Sequence, residues 1–385
     1  MFLEYENKKT EEEILSKKIN THLVKANEVI SDKKLIVGNN YEVMRSLLDD
    51  FNYAGKVDLV YIDPPFATNN TFRIGADRTS TVSSSHKDET AYEDILQGSD
   101  FIEFLRERVV LLRELMSNRA SIYLHIDYKI GHYVKIMMDE VFGAVNFRND
   151  ITRIKCNPKN FNRKAYGNIR DLVLFYTKTK NYTWNEPRAP VTEEDIKRLC
   201  AKIDAKGRRY TTIPLHAPGE TKNGPTGQPW RGMMPPKGRH WRCAPDKLEE
   251  LEKQGLVEWS SKGVPRKIIY AEEKIKKGKK VQDIWEYKDP QYPTYPTQKN
   301  KDMLDMIVCA SSDEGDLVMD CFAGSGTTII SANELGRDWI GIDESEQAIE
   351  VINKRLAETK NESLFQSVLK HEILKLEKTD SRALA

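Results

Sequence analysis

Short apolar runs alternate with longer amphipathic segments along most of the chain. Each run is continuous, contains β-branched residues and is bounded by polar or turn-forming residues, so it predicts a buried strand. These runs are residues 34–38, 57–62, 120–127 and 172–176. Between them, apolar residues recur at three- and four-residue spacing, which predicts helices. The helical segments are residues 41–51, 101–118 and 131–142. This alternation predicts a mainly parallel sheet covered by helices on both faces.

The C-terminal third repeats this alternation. A helix is predicted at residues 302–310, and it is followed by a strand that ends at Asp320 and a helix that ends at Glu334. A further strand at residues 339–343 and a helix at 345–357 complete the series. Both ends of the chain are highly charged. Residues 8–30 have helical spacing and predict one or two amphipathic helices, and residues 360–385 predict a partly helical tail.

Two segments interrupt the alternation. Residues 67–98 are polar and contain a Ser/Thr-rich tract, which predicts a loop that covers a substrate, with plain disorder as the alternative. Residues 181–285 are rich in proline and interleave basic with aromatic side chains. We interpret them as an inserted subdomain whose basic residues meet phosphates and whose aromatic or polar residues reach bases. A short helix is predicted inside it at residues 246–254. A basic insert that binds protein is the alternative.

Composition places the chain among soluble globular proteins. Of its 385 residues, 39% are hydrophobic and 31% are charged, and no apolar run approaches the roughly 20 residues of a membrane helix. The polar N-terminus shows no signal peptide, so an intracellular, cytoplasmic location without a membrane partner is expected. The net charge of +1 conceals an asymmetry, because residues 197–285 hold 21 Lys/Arg against 10 Asp/Glu. That excess favours a polyanionic partner.

The cysteines do not indicate a disulfide framework or a metal site. The five cysteines are scattered and lack the paired spacing of zinc ligands, so we expect no bound metal. Cys321 lies beside a glycine-rich stretch but has no evident histidine partner. We therefore interpret it as a small buried thiol rather than a nucleophile.

The strand at residues 57–62 ends in a stiff corner formed by Asp63, Pro64, Pro65 and Phe66. The prolines cannot continue a strand, and Pro64 biases Asp63 towards an extended conformation. In open α/β sheets, ligands bind at the carboxyl ends of the strands. An acid, a free carbonyl and an aromatic face at that edge suit a planar substrate that carries an amino group. A plain strand-to-loop turn is the alternative.

A second candidate site follows the strand that ends at Asp320. Gly324 and Gly326 lie between this strand and a helix, where they allow a ligand to approach the backbone and the free N–H groups of the helix N-terminus. The spacing matches neither a dinucleotide fingerprint nor a phosphate loop. Asp343 ends the next strand, where an acid can bind ribose hydroxyls. The combination favours an adenosine cofactor such as S-adenosyl-L-methionine over an ordinary crossover turn.

These residues resemble a known family. The Asp63-Pro64-Pro65-Phe66 corner resembles the catalytic tetrapeptide of DNA amino-methyltransferases. Residues 319–328 resemble the cofactor-binding motif of that family, and residues 295–299 (Tyr-Pro-Thr-Gln-Lys) are similar to the stretch that precedes it. With the catalytic motif first, the order resembles the β class, which includes many adenine-N6 enzymes and type III modification subunits. The resemblance covers residues 34–352.

The chain departs from the family pattern at three positions. Asn39 follows Gly38 where an aspartate is common, which affects a cofactor contact. Phe66 replaces the more common tyrosine and retains the stacking surface. Asn300 follows Lys299 where proline is usual. None of these changes removes a group that the chemistry requires.

The resemblance implies a fold and a domain order. The fold is an α/β, circularly permuted Rossmann-like methyltransferase with a mostly parallel sheet and an inserted target-recognition subdomain. The implied domains are an N-terminal helical extension (1–30), a catalytic half (31–180), a target-recognition insert (181–285), a cofactor-binding half (286–358) and a charged tail (359–385).

The resemblance also implies site residues. The catalytic residues are Asp63, Pro64, Pro65 and Phe66. The cofactor-binding residues are Thr297, Gln298, Lys299, Asp320, Phe322, Ala323, Gly324, Ser325, Gly326, Thr327 and Asp343. From the basic insert, the expected DNA-binding residues are Arg231, Lys237, Arg239, Arg242, Arg266 and Lys267.

The expected function is methyl transfer from S-adenosyl-L-methionine to adenine N6 in double-stranded DNA, after the base has flipped out of the duplex. Cytosine N4 is the first alternative, and the family association of aspartate with adenine makes Asp63 favour adenine. An RNA or protein methyltransferase and a non-catalytic DNA-binding module are further alternatives. A homodimer is implied by resemblance alone. A restriction–modification context is expected, and a cognate restriction endonuclease stays open as a partner.

Overall fold

The structure is a computed structural model that describes residues 2–65, 98–158, 162, 164–291, 298–358 and 371–379, together with the backbone of three strands between residues 71 and 93. The chain divides into two compact units. The core unit comprises Met1–Glu186 and Gln282–Ala385, and the inserted unit comprises Pro187–Val281. None of the described helices is long and apolar enough to cross a membrane.

The described elements follow in chain order. The helices are α1 (Glu11–Ser16), α2 (Asn40–Asp49), α3 (Gly98–Leu115), α4 (Gly131–Phe142), α5 (Glu193–Leu199), α6 (Pro245–Lys253), α7 (Ala271–Lys277), α8 (Lys301–Ser311), α9 (Thr327–Glu334) and α10 (Glu346–Glu358). The strands are β1 (Thr21–Lys25), β2 (Lys34–Val37), β3 (Val57–Ile62), β4 (Thr71–Gly75), β5 (Arg78–Ser80), β6 (Glu89–Glu93), β7 (Met116–Ile126), β8 (Phe147–Ile154), β9 (Arg170–Thr177), β10 (Arg188–Ala189), β11 (Lys202–Ile203), β12 (Arg209–Pro214), β13 (His216–Pro218), β14 (Arg239–Trp241), β15 (Val257–Trp259), β16 (Pro265–Tyr270), β17 (Lys279–Lys280), β18 (Ile284–Trp285), β19 (Leu317–Asp320), β20 (Asp338–Asp343) and β21 (Glu372–Lys378).

A ten-stranded sheet forms the centre of the core unit, in the order β1-β21-β2-β20-β19-β3-β7-β9-β8-β18. From β21 to β7 all neighbouring strands are parallel, whereas β1 and β9 pair antiparallel with their neighbours. This arrangement confirms the mainly parallel sheet predicted from the sequence. The predicted helices at residues 41–51, 101–118 and 131–142 correspond to α2, α3 and α4.

Strand β3 lies between two parallel neighbours, β19 and β7. Its residues Leu59, Val60 and Ile62 are fully buried, as expected for an apolar run with partners on both sides. Burial of each such side chain contributes about 1.5–3 kcal/mol of transfer free energy. The chain that leaves this strand at Asp63 is therefore anchored in the most buried part of the sheet.

The predictions for the two ends of the chain were wrong in part. The described helix near the N-terminus is α1, which Thr10 and Glu13 begin with a reciprocal capping box, while β1 occupies the second half of the predicted helical stretch. Part of the predicted helical tail is the strand β21, which pairs with both β1 and β2. Strand β21 is highly charged, β1 exposes His22 and Lys25, and both strands are only partly buried, so their apolar residues did not show a clear strand alternation.

The predicted covering loop at residues 67–98 lies largely outside the described residues. Within it, β4, β5 and β6 form a small antiparallel sheet in the order β5-β4-β6. The polar composition of this segment therefore conceals strands. A small sheet of two or three strands is defined by its backbone hydrogen bonds and buries little apolar surface. Its strands therefore leave no clear hydrophobic pattern in the sequence.

The inserted unit has its own sheets and its own small core. Strands β11, β12, β16 and β15 form a four-stranded antiparallel sheet, and β13 pairs with β14. Trp230 and Trp241 are buried at its centre with Leu215 and Leu248. We predicted base contacts for such aromatic residues, but these two indole rings form part of the buried core of the unit instead. The predicted helix at residues 246–254 corresponds to α6.

Candidate active site

Three acidic residues end adjacent parallel strands at one edge of the sheet. Asp63 directly follows β3, Asp320 ends β19 and Asp343 ends β20. The three strands are neighbours, because β19 pairs in parallel with both β3 and β20. Adjacent strands lie about 4.8 Å apart, so the pairing brings the predicted catalytic corner and the predicted cofactor loop to the same edge.

Asp63 has two differently engaged carboxylate oxygens. The Lys299 ammonium lies 2.6 Å from Oδ2. Oδ1 is buried and has no hydrogen-bond partner among the described residues, and His125 Nδ1 lies 4.0 Å away. A buried carboxylate oxygen without a donor is costly, so it indicates a place where a donor binds. Pro64 and Pro65 follow, and Phe66 lies outside the described residues.

Behind Asp63 lies a buried polar network that the sequence analysis missed. His125 is fully buried on β7, and its Nε2 lies 3.2 Å from Asp171 Oδ2 while its Nδ1 lies 2.8 Å from the Tyr61 hydroxyl. Burial lowers the pKa of His125, so the ring is neutral at pH 7. Because a carboxylate only accepts hydrogen bonds, we assign the proton to Nε2, and Nδ1 then accepts from Tyr61.

Asp171 provides the negative charge of this network. Burial acts to raise the pKa of Asp171, but the hydrogen bond from His125 and the Lys155 ammonium at 2.6 Å outweigh it, so the pKa lies below its ordinary value. A histidine within the apolar run at residues 120–127 was the signal available in the sequence. Its partner lies on β9, a different strand, and periodicity does not show such a pairing.

Asp320 fixes the start of the glycine loop. Its Oδ1 accepts the Phe322 N–H at 3.0 Å, and its Oδ2 accepts the Thr328 hydroxyl at 2.7 Å. Burial raises the pKa of Asp320 to about 7, against the opposing effect of these two hydrogen bonds. A carboxyl group that titrates near neutrality at a ligand-binding edge is a candidate functional group.

Asp343 holds the middle of the same loop. Its Oδ2 accepts the Gly324 N–H at 2.8 Å, and its Oδ1 accepts the Ser345 N–H at 2.9 Å. Burial raises the pKa of Asp343. The Gly38 N–H donates to the Asp343 carbonyl, and Asn39 begins α2 by accepting the Tyr41 N–H. The departure at Asn39 therefore supplies a helix cap in this structure.

The end of the loop depends on glycine. Gly326 precedes α9 with φ of +72°, and a Cβ placed there would lie 2.5 Å from Ile352 Cγ1 on α10. Ser325 and Thr327 are held by Arg355, which donates to the Ser325 carbonyl and to Thr327 Oγ1. Ala323 donates its N–H to the Ile342 carbonyl at 3.0 Å, so the loop is bound to β20 on one side.

Two further buried residues support the loop from below, and the sequence analysis missed both. The Asn40 amide donates to the Cys321 carbonyl at 2.8 Å, and the Arg108 guanidinium donates to Asn40 Oδ1 at 2.6 Å. The same guanidinium lies over the Phe104 ring at 3.5 Å. Cys321 is buried, and burial raises the pKa of its thiol, as expected for a structural cysteine.

The residues at this edge fit S-adenosylmethionine. The unpartnered Asp63 oxygen and the two further acids create an environment that favours a cationic sulfonium. Glycines at positive φ let a ligand approach the loop backbone. Of the preceding stretch, Thr297 lies outside the described residues, while Gln298 and Lys299 are followed by Asn300, which begins α8 by accepting the Met303 N–H.

The residues predicted to bind DNA lie in the inserted unit. Arg231 is held by Glu249 and Glu252, with its charge already paired. Lys237 and Arg242 are exposed. Arg242 also donates to the Pro214 carbonyl at 2.9 Å.

The other three basic residues are partly exposed on strands. Arg239 on β14 lies 3.1 Å from His216 Nδ1. On β16, Arg266 donates to the Thr212 hydroxyl and carbonyl at 2.8 Å, and Lys267 is partly buried beside it. Among the described contacts, the positive charges of Arg239, Arg266 and Lys267 have no acidic partner, whereas the charge of Arg231 is paired.

Comparison with known proteins identifies the class. Residues 57–354 match the family model of the DNA methylases, N6_N4_Mtase. The Type II methyltransferase M.EcaI of Enterobacter cloacae is 38% identical over 364 residues, which are 92% of this chain and 77% of that protein. The StyLTI Mod subunit of Salmonella typhimurium is 25% identical over 346 residues, covering 79% of this chain and 50% of the relative.

Among solved structures, TTHA0409 of Thermus thermophilus, described as a putative DNA modification methylase, aligns with a TM-score of 0.45 and 15% identity over 90% of this chain and 100% of that chain. The fold itself is α/β, with a mostly parallel sheet and an inserted unit. The chain belongs to the DNA methylase family of the N6/N4 type. This membership confirms the predicted family and its cofactor, S-adenosylmethionine.

Proposed function

We propose that this chain transfers a methyl group from S-adenosylmethionine to the N6 amino group of an adenine in double-stranded DNA. The observation that carries the proposal is the Asp63 carboxylate, whose Oδ1 is buried at the sheet edge without a hydrogen-bond partner among the described residues. An exocyclic amino group supplies the donor that this oxygen lacks. The proline that follows adds a backbone carbonyl as a second acceptor in a stiff turn.

The mechanism follows from the chemistry of the amino group. Its lone pair is delocalised into the base, so it is a weak nucleophile. Asp63 Oδ1 and the Pro64 carbonyl accept hydrogen bonds from its two N–H groups, which draws the nitrogen towards tetrahedral geometry and frees the lone pair for direct attack on the methyl carbon. As the nitrogen–carbon bond forms, the bond from the methyl group to sulfur would break with its electron pair left on sulfur. The methylated nitrogen then loses one of its protons to solvent. The carboxylate also stabilises the positive charge that develops on the nitrogen. S-adenosylmethionine, when bound, supplies an electrophilic methyl group on a sulfonium.

The remaining predicted residues have supporting roles in this proposal. Residues 322–327 and Asp343 bind the cofactor, and Asp320 holds the loop in place. The target base leaves the duplex, since its amino group is not accessible to this chemistry within the stack, and Phe66 stacks on it. The inserted unit recognises the target, with 22 Lys/Arg against 12 Asp/Glu in residues 187–281.

Two partners belong to the same proposal. Relatives of this chain are named as Type II methyltransferases and as Mod subunits of type III restriction–modification enzymes. A cognate restriction endonuclease that cuts the unmethylated target is therefore a proposed partner of this chain. A homodimer rests on family resemblance alone.

The test is a methyl-transfer assay with labelled S-adenosylmethionine and separate duplex DNA, RNA and protein substrates, followed by digestion of the nucleic acids to nucleosides. Label in the N6-methyl-2′-deoxyadenosine released from the DNA is expected. Asp63→Ala should lower the rate by at least 100-fold, because removing one placed electrostatic group costs about 10²–10³ in rate. Its affinity for the cofactor should stay within about threefold.

A matched control is Asp58→Asn on the same strand. Asp58 lies at the other end of β3, where it pairs with Arg119 and Ser117, away from the proposed site. Its transfer rate should stay close to that of the wild type. Label in N4-methyl-2′-deoxycytidine would show that the target base is cytosine rather than adenine. Label in RNA or protein but not in DNA would contradict the proposal. Full activity of Asp63→Ala would refute the mechanism.

A further inference from the structure

The carboxylate of Asp63 is held from one side only. Lys299 Nζ lies 2.6 Å from Oδ2, at the distance of a strong charge-assisted hydrogen bond. Both side chains are largely withdrawn from water, with exposures of 10% for Lys299 and 16% for Asp63. Oδ1 is buried and has no hydrogen-bond partner among the described residues. The ion pair therefore divides the carboxylate into an occupied and an open oxygen.

The charges around Asp63 explain why a cation is needed there. The neutral His125 ring on β7 and the Tyr61 hydroxyl on β3 face it, and Asp320 on β19 is a second acid close enough for the two charges to repel. Two acids at one edge of a sheet repel each other, and a cation beside them reduces that repulsion. The Lys299 ammonium, 2.6 Å from Oδ2, is placed to do this for Asp63.

Lys299 is itself fixed in position. It directly precedes Asn300, whose side chain begins α8 by accepting the Met303 N–H at 3.2 Å. Asn300 also donates to the Lys288 carbonyl at 3.0 Å, so the residue next to Lys299 is tied at two points. Met303 and Leu304 in the first turn of α8 are fully buried. A lysine mounted on a capped and packed helix start holds its partner in one orientation.

We propose that Lys299 is a positioning residue for methyl transfer: its ammonium holds Asp63 through Oδ2 in one rotamer, so that Oδ1 is left to accept a hydrogen bond from the substrate amino group. This proposal rests on the proposed function. It differs from the role expected from the sequence motif, in which Lys299 contacts the cofactor. The two roles predict different effects on cofactor affinity, so they can be separated by experiment.

The main test compares Lys299→Met with Lys301→Met in the full-length protein. Methionine keeps most of the apolar stem and removes the charge. Lys301 is the matched control, because it lies two residues away and pairs with Asp305 and Glu334 rather than with Asp63. Lys299→Met should lower the single-turnover transfer rate on duplex DNA about 100-fold. Its dissociation constant for S-adenosylmethionine, measured by calorimetry, should stay within twofold, and Lys301→Met should keep the wild-type rate.

A second measurement restores the missing cation. In Lys299→Ala, added methylammonium should raise the transfer rate at least tenfold, because it can occupy the space of the ammonium and donate to Oδ2. Tetramethylammonium at the same ionic strength has no N–H and should have no such effect. Lys299→Arg, which retains a cation with a different shape, should lie between the wild type and Lys299→Met. Thermal melting identifies any variant that folds poorly. The remaining variants can then still be compared with the wild type.

Three results would overturn the proposal. One is a rate for Lys299→Met within threefold of the wild type, and another is an equal loss in Lys301→Met. The third is a loss of cofactor affinity that accounts for the lost rate, which would assign Lys299 to cofactor binding. Failure of the proposed function looks different, since the wild type itself would then transfer no methyl group to adenine.

Discussion

At the scale of single residues, the environment of Asp320 sets an expected pH dependence. Burial raises the pKa of its carboxyl group to about 7, so the group is partly protonated near neutral pH. A cation bound nearby favours the ionised form. Binding of the positively charged cofactor should therefore release a proton from Asp320, and the affinity should increase as the pH rises.

We expect the affinity of the wild type for S-adenosylmethionine to rise about tenfold between pH 6 and pH 8, as the ionised fraction of a group with a pKa of about 7 grows from roughly a tenth to nine tenths. Calorimetric titration across this range measures it. In Asp320→Asn the affinity should be nearly independent of pH, which separates Asp320 from Asp343, whose pKa burial also raises. A parallel slope in wild type and variant would assign the proton to another group.

Site residues that directly follow a predicted strand could be identified from the sequence. Contacts between residues on separate elements could not. Asp63, Asp320 and Asp343 each follow an apolar run, so their shared edge was predictable from the rule for parallel strands. The contacts of Asp63 with Lys299 and His125 join residues far apart in the chain. No local pattern encodes such distances, so these contacts required the structure.

At the scale of elements, the close packing of α9 against α10 depends on Gly326. Its φ of +72° disfavours any residue with a Cβ, and that Cβ would also lie 2.5 Å from Ile352, which is fully buried. Gly315 has a similar φ of +83° but open space around it. Substitution of Gly315 therefore measures the free energy of backbone strain alone, whereas substitution of Gly326 measures strain together with steric overlap.

Gly326→Ala should destabilise the protein by about 3 kcal/mol and Gly315→Ala by about 1 kcal/mol, because strain at positive φ costs of order 1–3 kcal/mol and overpacking adds a similar amount. Urea unfolding of both variants measures the difference. Only Gly326→Ala should also weaken cofactor binding, since it displaces the loop at the start of α9. Equal destabilisation of the two variants would show that the contact with Ile352 relaxes without cost.

Whether an element could be predicted depended on how much apolar surface it buries. The strands β3, β19 and β20 and the helices around them were predicted because they carry continuous or periodic apolar residues. At the edge of the sheet, β1 and β21 are charged on their solvated sides, and their pairing rather than their composition makes them strands. The strands β4, β5 and β6 of the small sheet were not predicted for the same reason, since their sequences are polar and their pairing makes them strands.

At the scale of the whole molecule, the positive charge is concentrated in the inserted unit, with 22 Lys/Arg against 12 Asp/Glu. Not all of that charge is available to a polyanion. Arg231 is paired with Glu249 and Glu252, whereas Lys237 and Arg242 are exposed. In the proposed function, the exposed cations contact DNA phosphates and the paired one does not.

The double variant Lys237→Gln/Arg242→Gln should bind duplex DNA more weakly at low salt. The slope of log affinity against log salt concentration should become shallower by about 2, since each lost phosphate contact removes roughly 0.9 from the slope. Fluorescence anisotropy at 50–200 mM salt measures it. Arg231→Gln is the matched control and should change the slope little. An unchanged slope in the double variant would place the phosphate contacts on other residues.

The strand order also determines when the protein can fold during its synthesis. Strand β2 carries the fully buried Leu35 and Ile36, yet both of its neighbours, β20 and β21, are translated roughly 300 residues later. At about 5–20 residues per second, this strand leaves the ribosome roughly 15–60 seconds before a partner exists. During that interval its apolar backbone edge is open to other chains. The apolar side chains of β2 therefore wait for their sheet partners during most of the synthesis of residues 38–343.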